Sequence, residues 1–288
     1  MHGAKRHIPM RVNLAKSAGF CLGVKRAIDI ALQTISFRKN VYMLGDIVHN
    51  EEVAEQLKKT GIKQLKRLTP GKNRTFLIRA HGISLKLRHK ARALGYRIID
   101  ATCPMVKEIH KIASDMEREG YTIIVIGDKK HDEVRGIIGQ LKRKVILIEN
   151  PQDIRLEKIN KIKKAAVVVQ STQNIEKVIK IVDELKPWIN ELKFFNTICR
   201  PTTVKQQEIK KMPLRNDVMI VIGSKTSANT KRLFEISKSL NKRSFWIQGK
   251  QNIQCRWFKD ARSVGITAGA STPDSTIKKI VEYIKTIG

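Results

Sequence analysis

Acidic residues, aromatic residues, cysteines and long apolar runs are all scarce in this sequence of 288 residues. No apolar run approaches the ~18 residues of a membrane-spanning helix, so we expect no membrane anchor. The segment from Met1 to Phe20 has no continuous apolar stretch ahead of a small-residue cleavage site. We therefore expect no secretory signal and a cytoplasmic protein. The apolar fraction of 41% is still high enough for a folded chain of two or three domains.

The shortage of acidic residues leaves 57 lysines and arginines against 26 aspartates and glutamates, a formal net charge of +31. Such a charge attracts polyanions, so nucleic acid has to be considered as a partner. The lysines are scattered from Lys5 to Lys285, and the aromatic residues do not interleave with basic runs to form a base-stacking surface. We therefore expect no specific nucleic-acid binding. The charge favours docking of an acidic protein or holding of an anionic substrate.

Only four cysteines are present, and none belongs to a local C-x-x-C pair. This spacing excludes a local zinc knuckle, and disulfides are rare in the cytosol, so a buried thiol is the default interpretation of each. Cys255 lies between Gln254 and Arg256 outside any pattern, and we interpret it as a spare thiol. The other three share a repeat: Cys21, Cys103 and Cys199.

Each of these three cysteines opens a segment with the same spacing. A glycine follows 24 residues later, at the end of a short apolar run, and a polar residue follows at +28. The glycines are Gly45, Gly127 and Gly223, and the polar residues are His49, His131 and Ser227. Three matches in register, across offsets of 82 and 96 residues, indicate an internal repeat.

A second apolar run in each segment leads into a loop of small or polar residues, at 79–82, 170–172 and 267–271. Strands that alternate with helices predict parallel sheets with the ligand site at the carboxyl ends of the strands. We therefore predict an α/β fold of three similar units with small parallel sheets, arranged as a pseudo-threefold trefoil in which the three cysteines converge. The predicted units are residues 11–101, 102–197 and 198–288.

Three converging thiolates would form a metal site. Each cysteine begins a helix-like segment, a position that favours the thiolate. Thiolates are soft ligands for zinc or iron–sulfur clusters, and three of them leave one metal position open to substrate. A three-cysteine zinc site with a bound water and three unrelated buried thiols are the alternatives. The spacing favours a metal site.

Neutral hydrogen-bonding side chains at the other loop starts suit a phosphate or diphosphate. They are His49, His81, Ser227, Asn229 and Ser271. Glu133, two residues after His131, can hold a proton in a desolvated site and deliver it, unless it is an ordinary surface glutamate. We interpret His89 and His110, which lie on predicted helices, as structural residues.

Six short segments carry a family signature in order along the chain. They are Gly19–Val24, Ile47–Asn50, Ala80–Gly82, Asp100–Pro104, Gly223–Lys225 with Asn229, and Thr267–Ser271. With these segments the chain resembles the LytB/IspH family of 4-hydroxy-3-methylbut-2-enyl diphosphate reductases, over nearly its whole length after the first ten residues. The resemblance implies an oxidoreductase that converts this allylic diphosphate to isopentenyl and dimethylallyl diphosphate, the last step of the non-mevalonate (MEP) isoprenoid pathway.

The resemblance also implies roles for individual residues. Cys21, Cys103 and Cys199 would bind one central 4Fe-4S cluster with an open iron. The diphosphate would be held by His49, His81, Ser227, Asn229 and Ser271, with Ala228 at a further diphosphate position. His131 would lie beside the substrate, and Glu133 would head the proton relay. Ser171, followed by Thr172, would orient the substrate hydroxyl and the glutamate.

Four features depart from the family pattern. Asp132 replaces a proline, and we expect this second carboxylate to raise the pKa of Glu133 or to repel diphosphate. Ala228 replaces a serine, and Ser171 replaces a threonine, which keeps the hydroxyl but loses a methyl that fixes its rotamer. The loop at 128–130 lacks a histidine common in the family. We expect these changes to alter rate and product ratio more than reaction type.

Two other functions stay open from the sequence. One is a basic nucleic-acid-binding protein with a structural zinc or cluster site. The other is a degenerate family member that binds cluster and diphosphate without reducing it, an option that Asp132 and Ala228 keep open. No flavin or dinucleotide fingerprint is present, so a separate ferredoxin or flavodoxin is the expected electron donor.

Overall fold

The computed structural model describes residues 10–287, apart from the side chain of Lys158. The strands are β1 (Arg11–Leu14), β2 (Val41–Leu44), β3 (Lys63–Leu65), β4 (Thr75–Ile78), β5 (Arg97–Asp100), β6 (Thr122–Ile126), β7 (Ile146–Ile148), β8 (Lys164–Val169), β9 (Glu191–Phe194), β10 (Val218–Ile222), β11 (Ser244–Ile247) and β12 (Ser263–Ala268). The α-helices are α1 (Leu22–Phe37), α2 (Glu51–Lys59), α3 (Leu85–Ala93), α4 (Pro104–Arg118), α5 (Asp132–Ile138), α6 (Leu156–Ile159), α7 (Ile175–Leu185), α8 (Arg200–Ile209), α9 (Ala228–Leu240) and α10 (Asp274–Ile287). Gly288, the last residue of the third predicted unit, and Met1 to Pro9, part of the segment expected to lack a secretory signal, lie outside the described residues.

The strands form three four-stranded parallel sheets with equivalent strand orders. The first sheet has the order β3-β2-β4-β5, and the second has the order β7-β6-β8-β9. The third, read in the same direction, has the order β11-β10-β12-β1. The predicted α/β fold of three small parallel sheets is confirmed.

Strand β1 corrects the start of the first predicted unit. That unit was predicted to begin at residue 11, but β1 pairs with β12 of the third sheet, with Arg11 opposite Ser263. The physical reason is the position of the fourth strand in the repeat. In the first two sheets the fourth strand, β5 or β9, comes just before the next cysteine. After β12 the described chain continues only as α10, so β1, which precedes Cys21, supplies the missing strand.

The chain divides into two compact units. One contains the residues up to Cys21 together with those from Pro201 onward, and it holds the third sheet. The other contains Leu22–Arg200 and holds the first and second sheets. The further division of the chain at residues 102 and 198 stays a prediction.

The central strands are buried on both faces, as expected for parallel sheets between helices. In β6, Ile124 and Ile126 belong to a core that includes α7, whereas Ile123 and Val125 belong to a core that includes α4 and α5. Each buried aliphatic side chain of this size contributes about 1.5–3 kcal/mol. Helix α5 is therefore fixed on β6 through Val134, and its N-terminus lies at the carboxyl end of the strand.

In the part of the chain that the structure describes, no helix combines the length and the apolar character that crossing a membrane requires.

Candidate active site

One backbone hydrogen bond recurs in all three sheets and fixes the predicted ligand cysteines. The N–H groups of Cys103, Cys199 and Cys21 each donate to a carbonyl two residues beyond the end of a strand, β4, β8 and β12 respectively. The N···O distances are 3.0, 3.0 and 3.1 Å. The residues that follow the three acceptors are His81, Thr172 and Ser271, all predicted to bind substrate. The repeat thus joins each cysteine to one loop of the predicted substrate site.

The three thiols fit an iron–sulfur cluster in ligand type. Cys21, Cys103 and Cys199 are partly exposed, and each directly precedes a helix, α1, α4 or α8. A helix N-terminus favours the thiolate, the form that binds iron. Cys103 and Cys199 lie in one compact unit and Cys21 in the other, so convergence of the three stays a prediction. Cys255 is exposed, at the start of the 3-10 turn Cys255–Phe258.

Three predicted site histidines lie together in the unit that contains the first two sheets. His49 follows β2, His81 follows β4, and His131 precedes α5. The ring centroids are 4.4 Å apart for His49 and His81, 5.1 Å for His49 and His131, and 5.4 Å for His81 and His131. One ring nitrogen of each lies within 4.8 Å of the others. We call these residues the histidine cluster.

Burial favours the uncharged forms of two residues of the histidine cluster, His49 and His81. Desolvation lowers the pKa of His49, although the nearby Asp132 carboxylate opposes the shift. Desolvation lowers the pKa of His81 further, and the other two histidines add to the effect. The Nδ1 atom of His81 is buried and has no hydrogen-bond partner among the described residues. A buried polar atom without a partner is costly and points to a ligand that satisfies it.

The hydrogen bonding of His131 indicates whether the histidine cluster is suited to a metal ion or to an anion. The Nδ1 atom of His131 accepts a hydrogen bond from the N–H of Glu133 at 3.2 Å, which caps α5. In a neutral imidazole the proton is then on Nε2, because an accepting nitrogen carries none. His131 therefore presents an N–H donor and no second lone pair. The histidine cluster is better suited to anionic oxygens than to a metal ion.

Glu133 is a buried carboxyl group joined to Ser171. Its side chain is 2% exposed. One carboxylate oxygen accepts from the N–H of Ser171 at 2.6 Å, and the other contacts the Ser171 hydroxyl at 2.8 Å. Desolvation raises the pKa of Glu133 against these hydrogen bonds, and Asp128 raises it further. The pair can therefore store a proton on a carboxyl that is in contact with a hydroxyl.

The carboxylate of Asp132 is neutralised by an arginine that the sequence analysis did not single out. Arg79 Nη1 lies 2.7 Å from Asp132 Oδ2. The expected effect of Asp132 on Glu133 is not found, since Asp128 is the acidic neighbour that raises the pKa of Glu133. Arg79 directly precedes Ala80 and His81 in the family segment, and this proximity was the available signal for it.

The loop that follows β8 is held by an amide that the sequence did not predict. Gln170 is fully buried, and its Oε1 accepts from the N–H of Asp128 at 2.8 Å. Its Nε2 donates to the hydroxyl of Thr172 at 2.9 Å. Gly127 makes room for this contact, because a Cβ there would lie 2.6 Å from Val134 and 3.0 Å from Gln170. Thr172 and the loop before Glu133 are thereby held together.

The other compact unit holds the remaining predicted diphosphate ligands at the start of α9. The hydroxyl of Ser227 caps this helix by accepting from the N–H of Thr230 at 3.3 Å. Asn229 is 4% exposed, and neither of its amide atoms has a hydrogen-bond partner among the described residues. Ala228 and Ser271 are also buried. An amide buried without partners on the first turn of a helix indicates a ligand with oxygen atoms.

Comparison with known proteins gives concordant matches over most of the chain. The family model of the LytB protein matches residues 12–285. A 4-hydroxy-3-methylbut-2-enyl diphosphate reductase from Aquifex aeolicus is 39% identical over 278 residues, covering 95% of this chain and 96% of its own. The protein of that name from Campylobacter hominis is 40% identical over 280 residues, covering 96% of this chain and all of its own.

Two solved structures are also similar. A structure of (E)-4-hydroxy-3-methyl-but-2-enyl diphosphate reductase, described as the terminal enzyme of the non-mevalonate pathway, is 38% identical with a TM-score of 0.72, and the match covers 96% of this chain and all of that one. The E-1-hydroxy-2-methyl-but-2-enyl-4-diphosphate reductase from Plasmodium falciparum is 30% identical with a TM-score of 0.88, covering 96% of this chain and 88% of that one.

Proposed function

The chain belongs to the LytB protein family, and we propose that its histidine cluster and Asn229 bind the diphosphate of 4-hydroxy-3-methylbut-2-enyl diphosphate. The protein is an oxidoreductase that converts this substrate to isopentenyl and dimethylallyl diphosphate, the terminal step of the non-mevalonate (MEP) isoprenoid pathway. Two electrons and two protons enter, one C–O bond breaks, one C–H bond forms and water leaves. The observation that carries the site assignment is the half-buried histidine cluster, in which burial lowers the pKa values of His49 and His81 and His131 Nδ1 accepts the N–H of Glu133.

Diphosphate binding uses neutral donors. Imidazole N–H groups and the Asn229 amide donate to phosphate oxygens without the strong retention that a cluster of cations would cause. Arg79 adds positive charge beside His49, and Asp132 balances it. We propose Ser227, Ser271 and the backbone N–H of Ala228 as further ligands, because α9 begins there and helix N-termini favour anions. A diphosphate fixed in this way orients the allylic end of the substrate.

Proton delivery falls to Glu133 and Ser171. The raised pKa of Glu133 favours the protonated acid, which can donate to the Ser171 hydroxyl in contact with it. Ser171 can in turn donate to the substrate hydroxyl, so that the oxygen departs as water. We propose His131 as the third residue at the substrate, since its ring caps the helix that carries Glu133. Thr172, held by Gln170, completes the loop on which Ser171 lies.

The family is iron–sulfur dependent, and we assign Cys21, Cys103 and Cys199 as ligands of one 4Fe-4S cluster. Three cysteine ligands would leave one iron without a protein ligand, and such a cluster would supply electrons one at a time and Lewis-acid polarisation of the substrate C–O bond. Support comes from the shared hydrogen bond that fixes the three cysteines and from their positions at helix N-termini. Cys255 lies at the start of a 3-10 turn rather than of an α-helix, has no such strand-end hydrogen bond among those of the described residues, and is not assigned as a ligand.

The electron donor is proposed to be a separate ferredoxin or flavodoxin, which are commonly acidic. The net charge of +31 would speed docking of such a partner. Specific nucleic-acid binding is not proposed, and a cytoplasmic location stays a prediction. The hypothesis of a degenerate family member that binds without reducing its substrate loses support. Glu133 and Ser171 form a hydrogen-bonded pair, and the charge of Asp132 is balanced by Arg79.

The test of the proposed function is anaerobic purification followed by analysis of iron, sulfide and zinc and by an activity assay. We expect about four irons and four sulfides per chain, a change in the visible spectrum on adding substrate, and both products on adding a reductant. Substitution of Cys21, Cys103 or Cys199 by serine is expected to lose iron, and Cys255→Ser is the matched control that keeps it. Zinc in place of iron, or no metal after anaerobic reconstitution, would contradict the cofactor assignment.

A further inference from the structure

A buried lysine ties helix α8 to the backbone that leads into Cys21. Lys205 is 3% exposed. Its ammonium donates to the carbonyl of Ser17, to that of Gly19 at 2.9 Å and to that of Ala268 at 3.4 Å. A lysine ammonium has three N–H donors, and here three main-chain carbonyls receive them. Such complete pairing offsets the cost of burying the charge.

A second side chain of α8 holds the same segment. The carboxylate of Glu208, one turn beyond Lys205, accepts from the N–H of Lys16 at 2.7 Å and from the N–H of Ser17 at 3.0 Å. It also accepts from the Ser17 hydroxyl at 2.5 Å. The segment before Cys21 is therefore bound on its carbonyls by a cation and on its N–H groups by an anion. The path of the chain into Cys21 depends on α8.

Gly19 has the backbone conformation that this arrangement requires. Its φ is +93°, in the region that side chains disfavour, and a Cβ at this position would lie 2.7 Å from Asp274 Oδ1. The carbonyl of Gly19 is thereby turned toward Lys205. Only Phe20 separates this carbonyl from Cys21.

Lys205 also binds the strand end on the other side of Cys21. Ala268 is the last residue of β12, and two residues later the carbonyl of Ala270 accepts the N–H of Cys21 at 3.1 Å. One ammonium thus contacts both backbone segments that set the position of Cys21. All of these residues belong to the same compact unit.

We propose that Lys205 is a positioning residue for Cys21 and that its buried charge raises the reduction potential of the iron–sulfur cluster. The proposal rests on the proposed function, because it requires a cluster on Cys21. A fixed positive charge stabilises the state that has gained an electron, and its removal makes reduction harder. A lysine with only a structural role would affect folding but not the potential.

The test compares three variants of the anaerobically reconstituted holoenzyme. Lys205→Met keeps the length of the side chain and removes its charge, whereas Lys205→Arg keeps the charge. Lys211→Met, at an exposed lysine just beyond α8, is the matched control. The measurements are an EPR-monitored redox titration, the rate of iron release to a chelator, and circular dichroism of the iron-free chain.

In Lys205→Met we expect the ratio of reduced to oxidised cluster at the wild-type midpoint to fall about tenfold, which for a one-electron couple is ~59 mV. Iron release is expected to rise at least about tenfold as Cys21 loses its support. Lys205→Arg is expected to keep the wild-type ratio within about twofold, and Lys211→Met to change neither quantity.

A folded Lys205→Met holoenzyme with wild-type potential and wild-type iron release overturns the proposal and leaves the proposed function intact. If Lys205→Met does not fold, the test rests on Lys205→Arg. A wild-type reduction potential of the cluster with faster iron release in this variant supports the proposal. A lowered reduction potential in this variant overturns it. Wild-type chain that takes up no cluster overturns both this proposal and the cofactor assignment.

Discussion

Arg79 and Asp132 form an ion pair that joins the end of β4 to the first residue of α5, with Nη1 and Oδ2 2.7 Å apart. The pair connects an element of the first sheet to a helix packed on the second. Both side chains are about one-fifth exposed, 17% and 20%. The same carboxylate lies 3.8 Å from His49 Nε2. Asp132 thus links the two sheets at the histidine cluster, at a position where the family resemblance implies a proline.

The Arg79–Asp132 pair is expected to stabilise the fold measurably. Asp132→Ala and Arg79→Met should each lower the free energy of unfolding by about 1–2 kcal/mol, because a partly buried charge loses its partner. The double variant should lose less than the sum, with a coupling energy of about 1 kcal/mol. Denaturant unfolding of the four proteins measures this.

The exposed pair of Arg118 and Asp115 on α4 is the matched control for that cycle. Its coupling should be below about 0.5 kcal/mol, since exposed ion pairs are screened by water. Equal coupling for the two pairs would contradict a special role for Arg79 and Asp132.

Glu133 is expected to be essential for turnover but not for the cluster. Glu133→Gln should keep iron and sulfide and lower kcat about 10²–10⁴-fold, the usual contribution of a general acid. Because the acid acts when protonated and burial raises its pKa, wild-type activity should fall as the pH rises through that raised pKa. The pH profile of kcat in Glu133→Gln should lack this decrease. Full turnover in the variant would remove Glu133 from the relay.

Variants of Ser171 distinguish the role of its hydroxyl from that of its backbone N–H, since both groups contact Glu133. Ser171→Ala keeps the N–H bond to Glu133 and loses the hydroxyl, so kcat should fall about 10²-fold. Ser171→Thr introduces the residue that the family resemblance implies here, keeps the hydroxyl and should keep kcat within about threefold. Measurement of kcat and KM for both variants tests this, and a fully active Ser171→Ala would show that the hydroxyl carries no proton.

Asn229 is expected to serve binding rather than stability. Its amide has no partner among the residues the structure describes, so Asn229→Ala should change the free energy of unfolding by less than about 1 kcal/mol. KM for the substrate should rise at least about tenfold, because the diphosphate loses a donor. Ser227→Ala provides the contrast: it removes the cap of α9 and should cost about 1 kcal/mol of stability. A strongly destabilised Asn229→Ala with unchanged KM would contradict the assignment.

His110 is expected to make the fold sensitive to acid. Burial lowers its pKa from 6.5 to about 4. Between these values the unfolded chain binds a proton that the folded chain does not, so stability is lost as the pH falls from about 6.5 to about 4. The loss due to this group is at most about 3.4 kcal/mol. His110→Gln should reduce the loss in urea unfolding across this pH range, whereas His89→Gln, at an exposed position, should not.

Docking of the electron donor is expected to depend on salt. The net charge of +31 should attract an acidic ferredoxin or flavodoxin at low ionic strength. Raising the salt concentration should slow reduction by the protein donor at least about tenfold and leave reduction by a small chemical reductant nearly unchanged. Stopped-flow spectra of the cluster would report both rates. Equal slowing with both reductants would exclude electrostatic docking.

The sequence located the strand ends because they depend on local patterns. Gly45, Gly127 and Gly223 directly follow β2, β6 and β10, as the spacing predicted. Apolar runs and the glycines that end them lie within a few residues of one another, so no knowledge of tertiary structure is needed. The roles of Glu133 and Asn229 came mainly from the family resemblance and stay predictions.

Other features depend on contacts between distant segments. Arg79 and Asp132 are 53 residues apart, and their contact requires the placement of one sheet beside another. The expectation that Asp132 raises the pKa of Glu133 rested only on their adjacency in the sequence. In the structure the acidic residue that raises this pKa is Asp128. Lys205 lies 186 residues from Gly19, and the sequence gave no sign that it contacts the segment before Cys21.

The position of β1 also determines when the protein can finish folding. Arg11 and Ser263 are paired although 252 residues separate them. At 5–20 residues per second, a ribosome needs roughly 10–50 s to make the chain between them. During that time β1 has an unpaired edge that invites wrong pairing. Ala270, whose carbonyl accepts the hydrogen bond from the Cys21 N–H, is synthesised later still. The proposed binding of a cluster by Cys21 would therefore require the completed chain, and a nascent chain that stalls before β12 would expose both an unpaired strand and an unsupported thiol.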